Sequence, residues 1–234
     1  VNPRASRTVP FISKVIDLPL AKMAAQLAVG KKLRDMDLNM HKQNGLIAVK
    51  KPVFPFNKFP KQNIFLSPEM RSTGEVIGLD KYLGSAYAKA EIGSGNKLPQ
   101  SGIIFISVNN TDKNKIIKIA RDFNEMNFEI IATTGTFKIL SQNGISCKKI
   151  FKAGEGRPNI VDSIKNNEIN LIINTPLGSQ SRYDEYEIGK AAIKYSIPVI
   201  TTIPAAKAAL RAIRIIQNKK LEYYSLQDIF QDYA

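Results

Sequence analysis

Gly102-Ile103-Ile104-Phe105-Ile106-Ser107-Val108 and Phe128-Glu129-Ile130-Ile131-Ala132 are two short apolar runs, and the segment between them has a different period. Lys113–Met126 sets Ile116, Ile117, Ile119, Ala120 and Phe123 along one side of a helix. A strand, a helix and a second strand of this length make a crossover unit, which joins parallel neighbours. The pattern continues downstream. A short helix starts at Phe137, and Asn159–Lys165 reads as another. Leu171–Asn174 reads as a strand, Asp184–Tyr195 as a helix, Pro198–Thr201 as a strand and Ala205–Gln217 as a helix. Strands without polar alternation, separated by helices, predict an α/β fold with a mostly parallel sheet covered on both faces.

Upstream the regularity stops. Gly93-Ser94-Gly95-Asn96-Lys97-Leu98-Pro99 reads as a linker, with a helix before it over Lys81–Ile92. Residues 47–56 alternate like a strand, but Pro52 and Pro55 assign it to an edge. A turn-rich stretch follows to Gly74. Asp17 is placed to cap a helix that starts at Pro19 and ends at Gly30. Its nearly continuous apolar positions predict that it packs inside. Residues 1–16 read as a loop and a short apolar segment. The opening Val1-Asn2-Pro3-Arg4 is a polar loop with no strand or glycine loop before it, as expected for the tail of a larger enzyme. The expected division is 1–93, a linker at 94–99, and an intact domain at 100–234.

Composition narrows the function classes. The 234 residues carry 44% hydrophobic residues, and no apolar run approaches the ~20 residues of a membrane span. One cysteine, Cys147, excludes an internal disulfide framework and a cysteine-based zinc site. The net charge of +14 divides evenly, +7 over residues 1–80 and +7 over residues 81–234, so there is no basic tail. Nucleic-acid binding would call for a basic stripe interleaved with aromatics, and none is found. Small phosphorylated ligands or an acidic partner account equally for a diffuse positive field. The expected compartment is the cytoplasm, or an organelle matrix or stroma.

In open parallel sheets, ligands bind beyond the C-terminal strand ends. Thr133-Thr134-Gly135-Thr136 follows one such end and precedes a helix, offering three hydroxyls, a close-approach glycine and free helix N–H groups to an anion. Asn174-Thr175-Pro176-Leu177-Gly178-Ser179 follows another. Lys152 and Arg157 can add positive charge, and Ser107 and Lys113 end and follow the first strand. The bland reading is that such residues only cap helices and make turns. His41, the one histidine, lies in a polar stretch outside the pocket, and no carboxylate sits within either rim loop. Donors without an acid or base describe a binding site rather than a reaction centre.

Longer motifs carry a resemblance. Val1-Asn2-Pro3-Arg4-Ala5-Ser6-Arg7-Thr8-Val9-Pro10-Phe11, Pro19-Leu20-Ala21-Lys22, Pro55-Phe56-Asn57-Lys58-Phe59 and Pro68-Glu69-Met70-Arg71-Ser72-Thr73-Gly74-Glu75-Val76 closely resemble the large subunit of carbamoyl-phosphate synthetase. They look like the end of its second ATP-grasp half. Residues 100–234 resemble the regulatory domain that follows, which is similar in fold to methylglyoxal synthase. The resemblance implies an ATP-dependent ligase making carbamoyl phosphate from bicarbonate and ammonia, for pyrimidine and arginine biosynthesis. It implies ATP with Mg²⁺ or Mn²⁺, the remainder of the large subunit, and a glutamine amidotransferase small subunit. On the same basis Asn2 is a metal ligand, and Arg4 and Arg7 hold transferring phosphoryl oxygens, a role suited to guanidinium groups. The metal-binding Glu expected just before Val1 is not in this sequence, so the chain alone is expected to be inactive. Ser107, Lys113, Thr133, Thr136, Lys152, Asn174 and Thr175 match positions that bind UMP or IMP. Thr201 matches a second effector site. Departures are Thr134 in place of His, Pro176 and Leu177 in place of hydroxyl residues, and Lys51 where an acidic residue contacts ornithine.

Two other functions compete. A methylglyoxal-synthase-type lyase would carry a catalytic Asp before Pro-Leu, where this chain has Thr175. A basic nucleic-acid-binding protein is motivated by charge alone.

Overall fold

The computed structural model describes residues 6–36, 38, 45–58, 70–176 and 182–232. Its centre is a five-stranded sheet in the order β5-β4-β3-β6-β7, with every neighbouring pair parallel. The strands are β3 (Gly102–Val108), β4 (Phe128–Thr133), β5 (Lys148–Ile150), β6 (Ile169–Thr175) and β7 (Val199–Ile200). Before them, β1 (Ile47–Val53) and β2 (Gly74–Asp80) form a separate antiparallel pair. The helices are α1 (Thr8–Val15), α2 (Leu20–Ala28), α3 (Leu83–Gly93), α4 (Lys113–Glu125), α5 (Thr134–Gln142), α6 (Ile160–Lys165), α7 (Arg182–Lys194), α8 (Ile203–Asn218) and α9 (Leu226–Asp232).

Strand alternation divides the core. Ile104, Ile106, Ala132, Leu171 and Ile173 pack with residues of α4, α5 and α8. Phe105, Ile131 and Ile172 face the other way, onto Ile160 and Ile164 of α6 and Ile188 and Ala192 of α7. The predicted two-faced α/β architecture is therefore present. Burying strands on both faces is why their sequences read as continuous apolar runs.

Helix α3 ties the first sheet to the second. Gly78 of β2 lies so close to α3 that a β-carbon there would fall 1.9 Å from the Ala86 carbonyl oxygen. Across the helix, a β-carbon on Gly84 would fall 2.6 Å from Ile215 Cδ1 of α8. Ala88 of α3 and Leu98 beyond it are buried in the larger core cluster. The segment after α3 is held as well: Ser94 Oγ donates to the Glu91 carbonyl, and Asn96 Nδ2 donates to the Glu91 carboxylate at 2.9 Å.

The N-terminal region departs from expectation. Residues 8–15 form α1 rather than a loop, and β2 follows the turn-rich stretch where no strand was expected. Helix α2 buries none of its residues, Val29 beyond it is 86% exposed, and Leu27 is 39% exposed. Its apolar content suited a packed helix, but burial needs a facing surface, and α2 packs chiefly on the short α1. The residue before it is Pro19, and the Leu20 amide donates to Ser13 Oγ at 3.2 Å rather than to an Asp17 cap. Asp17 has a φ of 52°, a left-handed turn geometry that serves the bend between the two helices.

Candidate functional site

The C-terminal ends of β3, β4 and β6 lie side by side. Ser107 pairs in register with Asn174, and Thr133 ends the strand beside β3. By alternation Ser107 follows Phe105, Thr133 follows Ile131 and Asn174 follows Ile172, so all three side chains turn toward the α6 and α7 face. Lys152 comes to this edge two residues beyond Ile150, which pairs with Thr133. Thr175 has the opposite parity. It is buried, and its Oγ1 and carbonyl oxygen accept hydrogen bonds from Asn109.

Much of this rim is committed internally, and the uncommitted donors are informative. Thr133 Oγ1 and Ser107 Oγ lie 3.2 Å apart; one hydrogen bond between two hydroxyls leaves one proton for another acceptor. Thr136, 1% exposed, accepts from the Val108 amide at 3.1 Å and keeps its own O–H to donate. Asn174 is 8% exposed, and its side chain has no hydrogen-bond partner among the described residues. Its amide lines a cavity that Lys51 and Thr201 also line, so its donor and acceptor are open to a ligand.

Lys113 completes the set. Its Nζ lies 3.1 Å from where a β-carbon on Gly135 would sit, over the first turn of α5. Lys113 is half-buried and has no anionic partner among the described residues. An ammonium beside the positive end of a helix is an unfavourable arrangement unless an anion joins it. Lys152 is different, because Asp184 Oδ2 of α7 lies 3.7 Å from its Nζ. Arg157 turns to Asp162, 4.0 Å away, and Asp162 is engaged in the capping box of α6 with Asn159.

Two cavities adjoin the rim. One, of about 370 Å³, is lined by Asn109, Asp112, Lys115, Thr175, Thr201 and Lys207, among others. Asp112 is held below the usual carboxylate range, chiefly by the hydrogen bond from Lys115, with Asn109 and Thr175 contributing. The other, of about 670 Å³, runs between the first sheet and α7 and is lined by Lys51, Phe54, Phe56, Asn174, Ile188 and Thr201, among others. Lys51 and Thr201 thus share a cavity, but Lys51 is ion-paired with Glu91, itself 4% exposed. Tyr87 lies near this carboxylate, and burial, then the Glu91 charge, raise its phenol well above its ordinary range.

Ser107 and Thr133 thus touch on one rim, Asn174 pairs with Ser107 in register, Thr136 and Lys113 lie at the start of α5, Lys152 turns to Asp184, and Thr175 is set behind them; of these, Asn174 and Thr175 line the two cavities. Asn2, Arg4, His41 and Leu177 lie outside the described residues. Arg7 is described: its Nη1 donates to the carbonyl and hydroxyl oxygens of Ser72. Asp184 and Glu91 are not evident from the sequence, because each meets its lysine across elements far apart in the chain, whereas the pairing of Asp112 with Lys115 and Asn109 is local and its i,i+3 spacing is the signal that could have found it. No group of three or more potential metal-ligating side chains occurs among the described residues. None of their helices is long and apolar enough to cross a membrane.

Residues 115–201 match the MGS-like domain family. The chain is 46% identical over 227 residues to the carbamoyl phosphate synthase large chain of Nostoc sp., covering 97% of this chain and 21% of that one. It is 49% identical to the large chain of Archaeoglobus fulgidus, covering 99% and 22%. It is 44% identical to the Aquifex aeolicus carbamoyl phosphate synthase large chain, C-terminal section, covering 98% and 47%. The chain thus spans about a fifth of the full-length relatives and just under half of this C-terminal section. Among solved structures, a methylglyoxal synthase from Elizabethkingia anophelis matches with a TM-score of 0.40 and 15% identity, covering 48% of this chain and 79% of that one.

Proposed function

From the chain's homology, over nearly its whole length, to the C-terminal part of the carbamoyl phosphate synthase large chain, we infer that it works as that part of an ATP-dependent ligase and that its MGS-like domain senses a phosphorylated effector. The observation that carries the sensing role is the Lys113 ammonium. It lies over the start of α5 without an anionic partner among the described residues, beside hydroxyls with protons to give. A phosphate there would gain an ammonium, helix N–H groups and the Thr136 and Ser107–Thr133 hydroxyls. Asn174 would meet a polar edge of the sugar or base. UMP and IMP are the effectors this reading names.

In the complete enzyme, residues 1–93 would close the second ATP-grasp unit, and residues 100–234 would form the sensor, joined at 94–99. Asn2 would ligate Mg²⁺ or Mn²⁺ on ATP, and Arg4 and Arg7 would steady the transferring phosphoryl group. The partners would be the remainder of the large subunit and a glutamine amidotransferase small subunit, and the compartment the cytoplasm or an organelle matrix. Lys51 argues against ornithine in the larger cavity, because it already occupies the Glu91 carboxylate that an ammonium would need. Thr175, buried and accepting from Asn109, offers no carboxylate base for a lyase.

The test is calorimetric titration of UMP, with IMP and ornithine as comparisons, into the chain and its Lys113→Ala variant. Saturable binding of UMP or IMP that the variant weakens supports the reading. Retention of full affinity by the variant refutes the assignment of Lys113, and no binding of either nucleotide refutes the sensing role.

A further inference from the structure

We propose that Ser72 is a positioning residue for Arg7, holding its guanidinium through one nitrogen so that its two-donor edge is presented to the transferring phosphoryl group. The proposal rests on the reading of Arg7 given above.

A guanidinium has five N–H donors, arranged as two edges that share planar geometry. Arg7 commits both donors of Nη1 to Ser72, at 3.2 Å to the carbonyl oxygen and 3.1 Å to Oγ. Among the described residues it has no other hydrogen-bond or ion-pair partner. Nε and Nη2 therefore keep three donors, and together they form the edge that binds two oxygens in parallel. Pinning at Nη1 fixes the plane of the group without using that edge.

The anchor is itself fixed. Thr73, the next residue, donates its amide to the Val53 carbonyl at 2.9 Å, so the segment holding Ser72 is joined to the end of β1 just before β2 begins. From the same strand, Lys50 Nζ donates to Thr8 Oγ1 at 3.0 Å, holding the residue after Arg7. Two successive residues at the start of α1 are thus tied to one rigid pair of strands. An arginine on a free loop would lose side-chain freedom each time it met substrate, and one held in advance loses less.

The experiment uses the complete large subunit and follows the phosphorylation of ADP by carbamoyl phosphate. The phosphorus–oxygen bond to the carbamate breaks, one to the β-phosphate of ADP forms, and carbamate leaves. Ser72→Ala removes one of the two anchors. It should lower kcat about tenfold with little change in the KM for ADP and an unchanged Tm, and Ser72→Thr should restore most of the rate. Arg7→Ala should lose about a hundredfold or more, and the double variant should be no worse than Arg7→Ala alone. If Arg7→Ala is impaired while Ser72→Ala is fully active, the positioning role is wrong and the reading of Arg7 survives. If Arg7→Ala is fully active, both fall. If Ser72→Ala lowers Tm and kcat together and Ser72→Thr restores neither, the role is structural and the proposal is overturned.

Discussion

The ammonium of Lys113 stands 3.1 Å from the point that a β-carbon on Gly135 would occupy, so the glycine makes room for the cation. The contact joins the start of α4 to the start of α5. It places a positive charge where a helix already presents positive charge.

The first prediction concerns Gly135. Gly135→Ala should displace Lys113 and weaken nucleotide binding about tenfold. Alanine in the first turn of α5 should leave stability unchanged or raise it by up to about 1 kcal/mol. Calorimetry and thermal melting on the same variant check both signs. A simultaneous loss of affinity and Tm would indicate misfolding of α5 instead.

The two rim lysines should not be equivalent. Lys113 has no anionic partner among the described residues, whereas Lys152 is 3.7 Å from Asp184. A charge-assisted hydrogen bond contributes about 1.5–3 kcal/mol, so Lys113→Ala should weaken phosphate-dependent binding by about 10- to 100-fold. Lys152→Ala should cost less, because it also releases Asp184 from its pair. Equal losses measured at one salt concentration would contradict this ranking.

Glu91 is a polar centre between the two sheets. It accepts from Lys51 and Asn96, lies beside Tyr87, and is 4% exposed. Glu91→Ala should destabilise the fold by about 1–3 kcal/mol, because two donors lose their acceptor. Lys51→Ala should restore little, since Asn96 stays unpaired. Denaturant unfolding of the single and double variants measures the coupling.

Tyr87 sets an alkaline limit. Its folded-state phenol is raised above the ordinary value of 10.0, so the folded chain holds this proton more tightly than the unfolded chain. Its contribution is fully present below about pH 10 and is lost as pH rises toward the folded value. Stability should therefore fall above about pH 10, and Tyr87→Phe should flatten that fall. Melting curves between pH 8 and 11 give the two slopes.

Gly84 governs how α3 meets α8. Any side chain there would strike Ile215 and the Arg211 carbonyl. Gly84→Val should cost about 1–3 kcal/mol by overpacking at a buried crossing, more than the same change at Gly74, where a β-carbon would meet nothing within 4 Å. Paired unfolding measurements compare the two.

The α/β sheet was legible because strands buried on both faces must be apolar throughout. Gly102–Val108 and Phe128–Ala132 could hardly be anything else between helices. The rim was legible too, since hydroxyls and a glycine before a helix advertise free N–H groups. β2 was hidden by Gly74 and Gly78, which break the strand signal, although Gly78 is needed for the approach of α3. Helix α2 misled because apolar content records what a helix could bury, not whether a surface is there to receive it.

The alternation of elements and the polar residue types at the strand ends can be read along the chain. Backbone hydrogen bonding and apolar periodicity are local, so they can be read along a chain. Packing is what pairs Lys152 with Asp184 and leaves Lys113 without an anionic partner among the described residues, turns Thr175 away from Ser107, Thr133 and Asn174, and rests Arg7 on Ser72. Electrostatic pairing and side-chain parity depend on distances between elements far apart in sequence, and those distances exist only after the chain has packed.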